Sequence, residues 1–256
     1  MRFDVLVPWQ FDAFSPLHGV VLVAIALLCA GLAVLGDARP RLAVRLAAGL
    51  LAIGVASATA FDLLPSRVDP ARSLPLHVCD VASIAGVLGL ALGWRPGRTI
   101  LYAWGLTLCS FALAMPVVRE GPRFVDFWVY WGWHAAIFVA ISTDVVAGGY
   151  RPTWRDAGVA AASLVAYGLV ALPVNALVGG NYGYIGDDVG PRSFVTQFGP
   201  WPGRLAVMLP IAVAMIALSV LPWTLVAKRK QPAVEDECDA VVYRLPLADA
   251  TLRQAA

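Results

Sequence analysis

Apolar runs of about twenty residues, parted by short clusters of turn-forming and charged residues, organise this chain. They cover 16–36, 42–64, 74–93, 99–118, 126–147, 157–178 and 204–227. A helix crossing ~30 Å of hydrocarbon needs roughly 20 apolar residues. The pattern therefore predicts an all-α, polytopic membrane bundle of about seven transmembrane helices. Its breaks combine turn chemistry with charge, as in Gly36-Asp37-Ala38-Arg39-Pro40, Trp94-Arg95-Pro96-Gly97-Arg98 and Gly148-Gly149-Tyr150-Arg151-Pro152. Two regions follow: a transmembrane domain over 1–230, and a polar, mixed-charge tail over 231–256 that reads as disordered. Seven spans do not divide into equal inverted halves of the transporter type. The one long connection, 179–203, holds Asn181-Tyr182-Gly183-Tyr184 and Phe198-Gly199-Pro200-Trp201-Pro202-Gly203. A connection that long is usually functional or disordered, and its aromatics favour a loop packed on the bundle.

Composition agrees with the pattern. The chain is 59% hydrophobic and only 14% charged, whereas a soluble domain is nearer a quarter charged. The first apolar run follows a 15-residue arm and reads as a span, not as a cleaved signal. The net charge of +2 is small, and no nucleic-acid partner is expected; where the cations sit is more telling. One set of junctions holds Arg39, Arg41, Arg45, Arg95, Arg98, Arg151, Arg155, Lys228, Arg229 and Lys230. The other holds Arg67, Arg72, Arg119, Arg123, Arg192 and Arg204, with Arg2 on the N-terminal arm. The richer set marks the cytoplasmic side, which places the N-terminus outside and the C-terminal tail in the cytoplasm.

That topology gathers the polar groups of the spans. His18 opens the first span, Asp62 closes the second, and His77, Cys79 and Asp80 open the third. His134 lies in the first half of the fifth, and Asn175 closes the sixth. All fall in one half of the bilayer, on the side of the long loop. Ionisable groups in hydrocarbon are costly and mark a partner or a task. His77 and Asp80 are three apart and share a helix face, so Asp80 could orient His77. Cys79 points elsewhere, on a face with Ser83. Any base for Cys79 must come from another span, and His134 or His18 supplies the imidazole. A thiol beside an imidazole is a minimal nucleophile–base pair for acyl transfer, because the thiolate is the reactive form.

Plainer readings stand beside that one. His77 and His18 suit an interfacial position, and His134 stands in an aromatic run, Trp128 to Trp133, that resembles a membrane belt. Asp126, Asp144, Arg119 and Arg123 read as solvated flanks at span ends. Cys29 and Cys109 read as ordinary apolar mid-span thiols. Cys29, Cys79, Cys109 and Cys238 show no paired spacing. The three histidines with a carboxylate would make up a zinc set, but no ligand spacing supports one, nor haem ligation. No metal or cofactor is expected.

Several ordered motifs resemble one family. Leu74-Pro75-Leu76-His77-Val78-Cys79 is similar to the Leu-Pro-Leu-His-x-Cys signature of the YwaF-like bacterial integral membrane proteins, related to the transmembrane protein 164 group. Tyr102 to Pro116 resembles the following span, and Phe127 to His134 the next aromatic segment. Asn181-Tyr182-Gly183-Tyr184 and Phe198-Gly199-Pro200-Trp201-Pro202 resemble the long-loop elements. The resemblance covers about 70–205. It departs at Met115-Pro116-Val117-Val118, where the family often has Thr-Pro and an acidic residue.

The resemblance implies a multi-span protein of the bacterial cytoplasmic membrane with Cys79 and His134 in key positions. The eukaryotic relatives are phospholipid acyltransferases using a cysteine and a histidine, and the distantly similar androgen-induced-gene hydrolases use a threonine and a histidine. Membrane lipids are then the expected partners. Cys79 would be the nucleophile, His134 the base and His77 a charge-stabilising group, with Asp80, His18, Asn181 and Tyr182 in support. A small-molecule or proton-coupled transporter using His77, Asp80 and His134 is the competing class. A structural protein in which these groups merely satisfy one another is the third.

Overall fold

The computed structural model describes residues 9–187 and 194–229. Proline and local capping start most of its helices. Helix α1, Pro16–Ala38, opens with Pro16 after Ser15, whose hydroxyl accepts the His18 backbone N–H at 3.2 Å. Proline fits a first turn because its missing N–H would be unpaired there anyway. Helix α2, Pro40–Asp62, follows after Arg39 alone. Helix α3 is Val78–Leu92, α4 is Arg95–Thr107, and the single-turn α5 is Ser110–Ala114. Helix α6, Val125–Val146, precedes α7, Trp154–Val178, which starts from a Thr153–Asp156 capping box. Two 3-10 turns, Tyr182–Tyr184 and Phe194–Phe198, lead to α8, Leu205–Arg229. Gly93 and Gly179 end α3 and α7 in the left-handed conformation, at φ 67° and 65°, which glycine adopts without a Cβ clash.

The described residues are all-helical, and five helices are long and apolar enough to cross a membrane: α1, α2, α6, α7 and α8 up to Leu225. The two remaining apolar runs take a different form. The run at 74–93 becomes a helix only from Val78, with 15 residues, about 22 Å at 1.5 Å per residue. The run at 99–118 forms a helix that begins early, at Arg95, breaks after Thr107 and ends with the short α5. Hydrophobicity measures where a segment prefers to sit; it does not register a backbone interruption. The tail at 231–256, Arg2, Arg192 and Lys230 lie outside the described residues.

Helices α4 and α6 form the middle of the bundle. Nine of the thirteen α4 residues are buried, among them Leu101, Trp104 and Gly105, and α4 touches α3, α6, α7 and α8. Helix α6 lies against α1, α2 and α4. Helices α3 and α4 approach backbone to backbone. A Cβ on Gly89 would collide with the Arg98 backbone, and one on Gly97 with the Ala85 carbonyl, so glycine is what lets these backbones meet. Helices α1 and α8 are peripheral, with most of their apolar surface outward.

The end of the bundle away from the histidines is closed by ion pairs. Asp144, 3% exposed, receives Arg98 Nε at 3.1 and 3.0 Å and its terminal nitrogen at 2.7 Å, while that nitrogen also donates to the Gly148 carbonyl at 3.0 Å. Asp156 accepts Arg95 Nε at 3.0 Å and its terminal nitrogen at 2.7 Å, and also the Thr99 hydroxyl at 3.1 Å. Asp144 is thus no solvated flank, contrary to its position near a span end. The reason is Arg98, 46 residues away, which the α3–α4 turn brings beside α6.

Removing one partner of a buried pair leaves a charge uncompensated, at a cost of about 3–5 kcal/mol. Arg98→Ala should lower the thermal midpoint in detergent accordingly, and Arg98→Met with Asp144→Leu should recover most of the loss. An unchanged midpoint in Arg98→Ala alone would show that the pair does not hold this end together.

Candidate active site

The approach to α3 is built before the helix itself. His77 is the N-cap residue, and the Asp80 carboxylate accepts the His77 backbone N–H at 2.9 Å in a capping box. Asp80 therefore binds the backbone of His77 instead of orienting the ring. The first N–H groups of a helix have no partner of their own, and a carboxylate three residues on is placed to take one. The imidazole turns outward, with Nε2 donating to the Arg72 carbonyl at 3.1 Å and its ring centre 4.9 Å from that of Tyr182.

The long connection after α7 holds that approach. Asn175 donates its side-chain amide to the Tyr182 carbonyl at 3.0 Å and accepts the Tyr182 N–H at 2.8 Å. The fully buried Tyr182 hydroxyl donates to the Pro70 carbonyl at 2.8 Å and accepts the Leu74 N–H at 2.9 Å. Burial pushes the Tyr182 phenol above its ordinary pKa, so it keeps the proton it donates. The Tyr167 hydroxyl donates to the Leu76 carbonyl at 2.8 Å. Gly183 sits at φ 67°, and a Cβ there would fall 2.5 Å from the Tyr167 hydroxyl. The Asn181 side-chain oxygen accepts the Gly186 N–H at 3.0 Å and closes the turn. On the facing segment the Ala71 N–H donates to Asp69 at 3.0 Å and holds that carboxyl below the usual range.

Beyond the cap, α3 turns Cys79 and Ser83 toward the interior. The Trp133 indole N–H donates to the Ser83 hydroxyl at 3.0 Å, so this face of α3 meets α6 beside His134. The side chains that act most directly on the Cys79 thiol are Cys109 and His134, with His77 acting at longer range. Neither contact closes a hydrogen bond of ordinary geometry. Cys79 is partly exposed and Cys109 is fully buried. His134 is 3% exposed, and its Nδ1–H donates to the Tyr130 carbonyl at 2.7 Å. A carbonyl can only accept, so this bond fixes the neutral tautomer and leaves Nε2 with its lone pair. Tyr130, Tyr167 and Tyr184 stand within electrostatic range of Cys79.

His18 is engaged elsewhere. Its Nδ1 accepts the Phe14 N–H at 2.9 Å and its Nε2–H donates to the Leu113 carbonyl at 2.7 Å. Its ring lies 5.6 Å from those of Phe11 and Trp131. The aromatic run of α6 divides: Trp128 is exposed, Trp131 is buried, and Trp133 reaches Ser83. Asp126 pairs with Arg67. Among the described residues no group of three or more His, Cys, Asp or Glu is arranged to hold a metal ion.

Cys109 owes its place to the break between α4 and α5. The Leu108 and Cys109 N–H groups both donate to the Trp104 carbonyl, at 2.8 and 2.9 Å. The Thr107 hydroxyl takes the Ala103 carbonyl at 2.6 Å and the Ser110 hydroxyl the Thr107 carbonyl at 2.7 Å. Further on, the Tyr130 hydroxyl takes the Ala112 carbonyl at 2.8 Å. Irregular backbone at membrane depth survives where it is enclosed by protein and its polar groups are satisfied.

A model of the TMEM164 family matches residues 13–220. The chain belongs to that family. It is an integral membrane protein with several membrane-crossing helices. No curated protein and no solved structure matches it. The TMEM164 match takes in His18, His77, Cys79, Asp80, His134, Asn181 and Tyr182, and it also spans Cys109 and Tyr130. Cys109 was the residue missed by sequence reading. The available signal was Thr107 and Ser110 flanking it, with Pro116 close behind: two hydroxyls and a proline around one cysteine mark a helix that is about to break.

Tyr182→Phe removes both hydroxyl bonds and leaves the Leu74 N–H and Pro70 carbonyl without partners, a loss of about 1–3 kcal/mol for each buried group. Limited proteolysis should then cut within 179–187 faster than in the wild type, at unchanged helical content. Equal cutting rates would mean that Tyr182 does not clamp the loop.

Proposed function

We propose that this membrane protein is a lipid acyltransferase or acyl hydrolase that works within the bilayer, with Cys79 as nucleophile and His134 as base. The observation that carries the reading is the environment of His134. Its Nδ1–H is tied to the Tyr130 carbonyl, so the lone pair of Nε2 is the one available to a neighbouring thiol. In the reaction Nε2 takes the Cys79 proton, and the thiolate attacks the carbonyl carbon of a lipid ester. A C–S bond forms and the ester C–O bond breaks, with the leaving alkoxide taking the proton back from the imidazolium. A second alcohol, or water, then attacks the thioester and releases Cys79. An alcohol as acceptor makes the protein a transferase, and water makes it a hydrolase.

Further features support the reading. The partial exposure of Cys79 suits a lipid ester arriving sideways. The loop carrying Asn181 and Tyr182 covers the approach to α3, and Tyr184 brings a phenol toward the thiol. His77 and Asp80 act in this scheme by positioning the start of α3, and His77 adds positive potential when protonated. The proposal extends to topology: seven passes, with α3 completed by the residues before it and the α4–α5 pair as the fourth, the N-terminus outside and the tail cytoplasmic. It extends also to a YwaF-like assignment and to the bacterial cytoplasmic membrane. The ion-paired end opposite the histidines weighs against a through-path for a transported solute.

Overexpression of the wild type should shift the acyl-chain distribution of cell lipids. Cys79→Ala and His134→Ala should each reduce that shift by about 100-fold or more, the usual loss on removing a nucleophile or its base. Variants that reproduce the wild-type lipid profile at equal expression would overturn the enzyme reading.

A further inference from the structure

The proposed chemistry uses one thiol, yet a second stands against it. Helices α3 and α4 pack antiparallel, with Gly89 against Arg98 and Gly86 against Leu101, a register that brings Cys79 at the start of α3 level with Cys109 just past the end of α4. Cys29 lies apart, on α1, against the separate cluster of Phe11, Val118 and Phe127. The two neighbouring thiols differ in access. Cys79 is partly exposed and has an imidazole beside it, whereas Cys109 is fully buried behind it. The backbone at Cys109 is interrupted, with two N–H groups sharing the Trp104 carbonyl.

We infer that Cys79 and Cys109 form a redox pair, in which an organic hydroperoxide oxidises Cys79 and Cys109 resolves the product into a reversible disulfide. The steps balance. The Cys79 thiolate, its proton held on His134, attacks the terminal peroxide oxygen. The O–O bond breaks, leaving a sulfenic acid on Cys79 and an alkoxide that takes the proton to become an alcohol. The Cys109 sulfur then attacks the Cys79 sulfur, an S–S bond forms, the S–O bond breaks, and hydroxide leaves with the Cys109 proton as water. Two thiols lose two electrons and the hydroperoxide gains them. A reactive thiol without such a neighbour continues to sulfinic and sulfonic acids, whose formation is generally irreversible. Cys109 would hold the oxidation at a state a dithiol can reverse. Hydroperoxides of apolar molecules partition into the bilayer, and Cys79 is the less buried of the two thiols. The inference does not depend on acyl transfer; while the disulfide stands, Cys79 is withdrawn from any acyl chemistry.

The test uses the full chain in its native membrane, treated with cumene hydroperoxide. Remaining thiols are blocked with a light maleimide, disulfides are reduced with dithiothreitol, and freed thiols are labelled with a heavy maleimide before peptide mass spectrometry. The heavy label should appear on Cys79 and Cys109 together and leave Cys29 light. In Cys109→Ser the recoverable Cys79 signal should fall at least about tenfold, with Cys79 found as sulfinic or sulfonic acid. Cys109→Ala, checked for wild-type yield and Cys29 labelling, guards against a folding defect in the serine variant. Recovery of Cys79 undiminished in both variants, or Cys109 staying light while Cys79 oxidises, overturns the inference. These readouts are independent of the lipid profile, so a failure here and a failure of the acyl-transfer reading are distinguishable.

Discussion

A chain that crosses hydrocarbon has no water to satisfy a backbone group left over where a helix stops. Two apolar helices of this protein stop short at the same end of the bundle: α3 begins late, at Val78, and α4 ends early, at Thr107. Much of the polar chemistry around Cys79 answers to these interruptions. Tyr182, Tyr167 and His77 serve the backbone ahead of α3, at Pro70, Arg72, Leu74 and Leu76. Thr107, Ser110, Tyr130 and His18 serve the carbonyls around α5, at Ala103, Thr107, Ala112 and Leu113. The two interruptions place one cysteine each, Cys79 just inside the first and Cys109 just past the second.

The three histidines separate on this basis. His18 uses both ring nitrogens to latch the N-terminal arm to the end of α5, and His77 caps a helix. His134 is tied by one nitrogen, within its own helix. Intramembrane position made all three equally conspicuous in the sequence. Their hydrogen bonds make them unequal, and only the pattern at His134 resembles an oriented base.

Hydropathy made the helical membrane architecture legible, along with the gathering of polar groups near one end. Helix spacing also set Cys79 on one face with Ser83, because a 3.6-residue period is a strong local rule. Local rules fail where a partner comes from far along the chain. The Asp80 spacing was visible, but whether its carboxylate would take the ring or the backbone of His77 depended on where α3 began. Asp144 looked like a flank because Arg98 is distant in sequence, and Cys109 looked like core because an apolar run does not record a broken helix. The gathering of loop and approach around Tyr182 needed the same long-range knowledge, since its bonds reach back more than a hundred residues.

The Tyr182 phenol has a mechanical consequence. One oxygen holds both Pro70 and Leu74 while the same residue's backbone is clamped to Asn175 at the end of α7. The loop after α7 and the ledge from which α3 springs are thereby pinned at one point. Cys79 is the second residue of that helix, too near its root to stay still when the ledge moves. Loss of that single phenol would therefore loosen the loop and the root of the thiol's helix together.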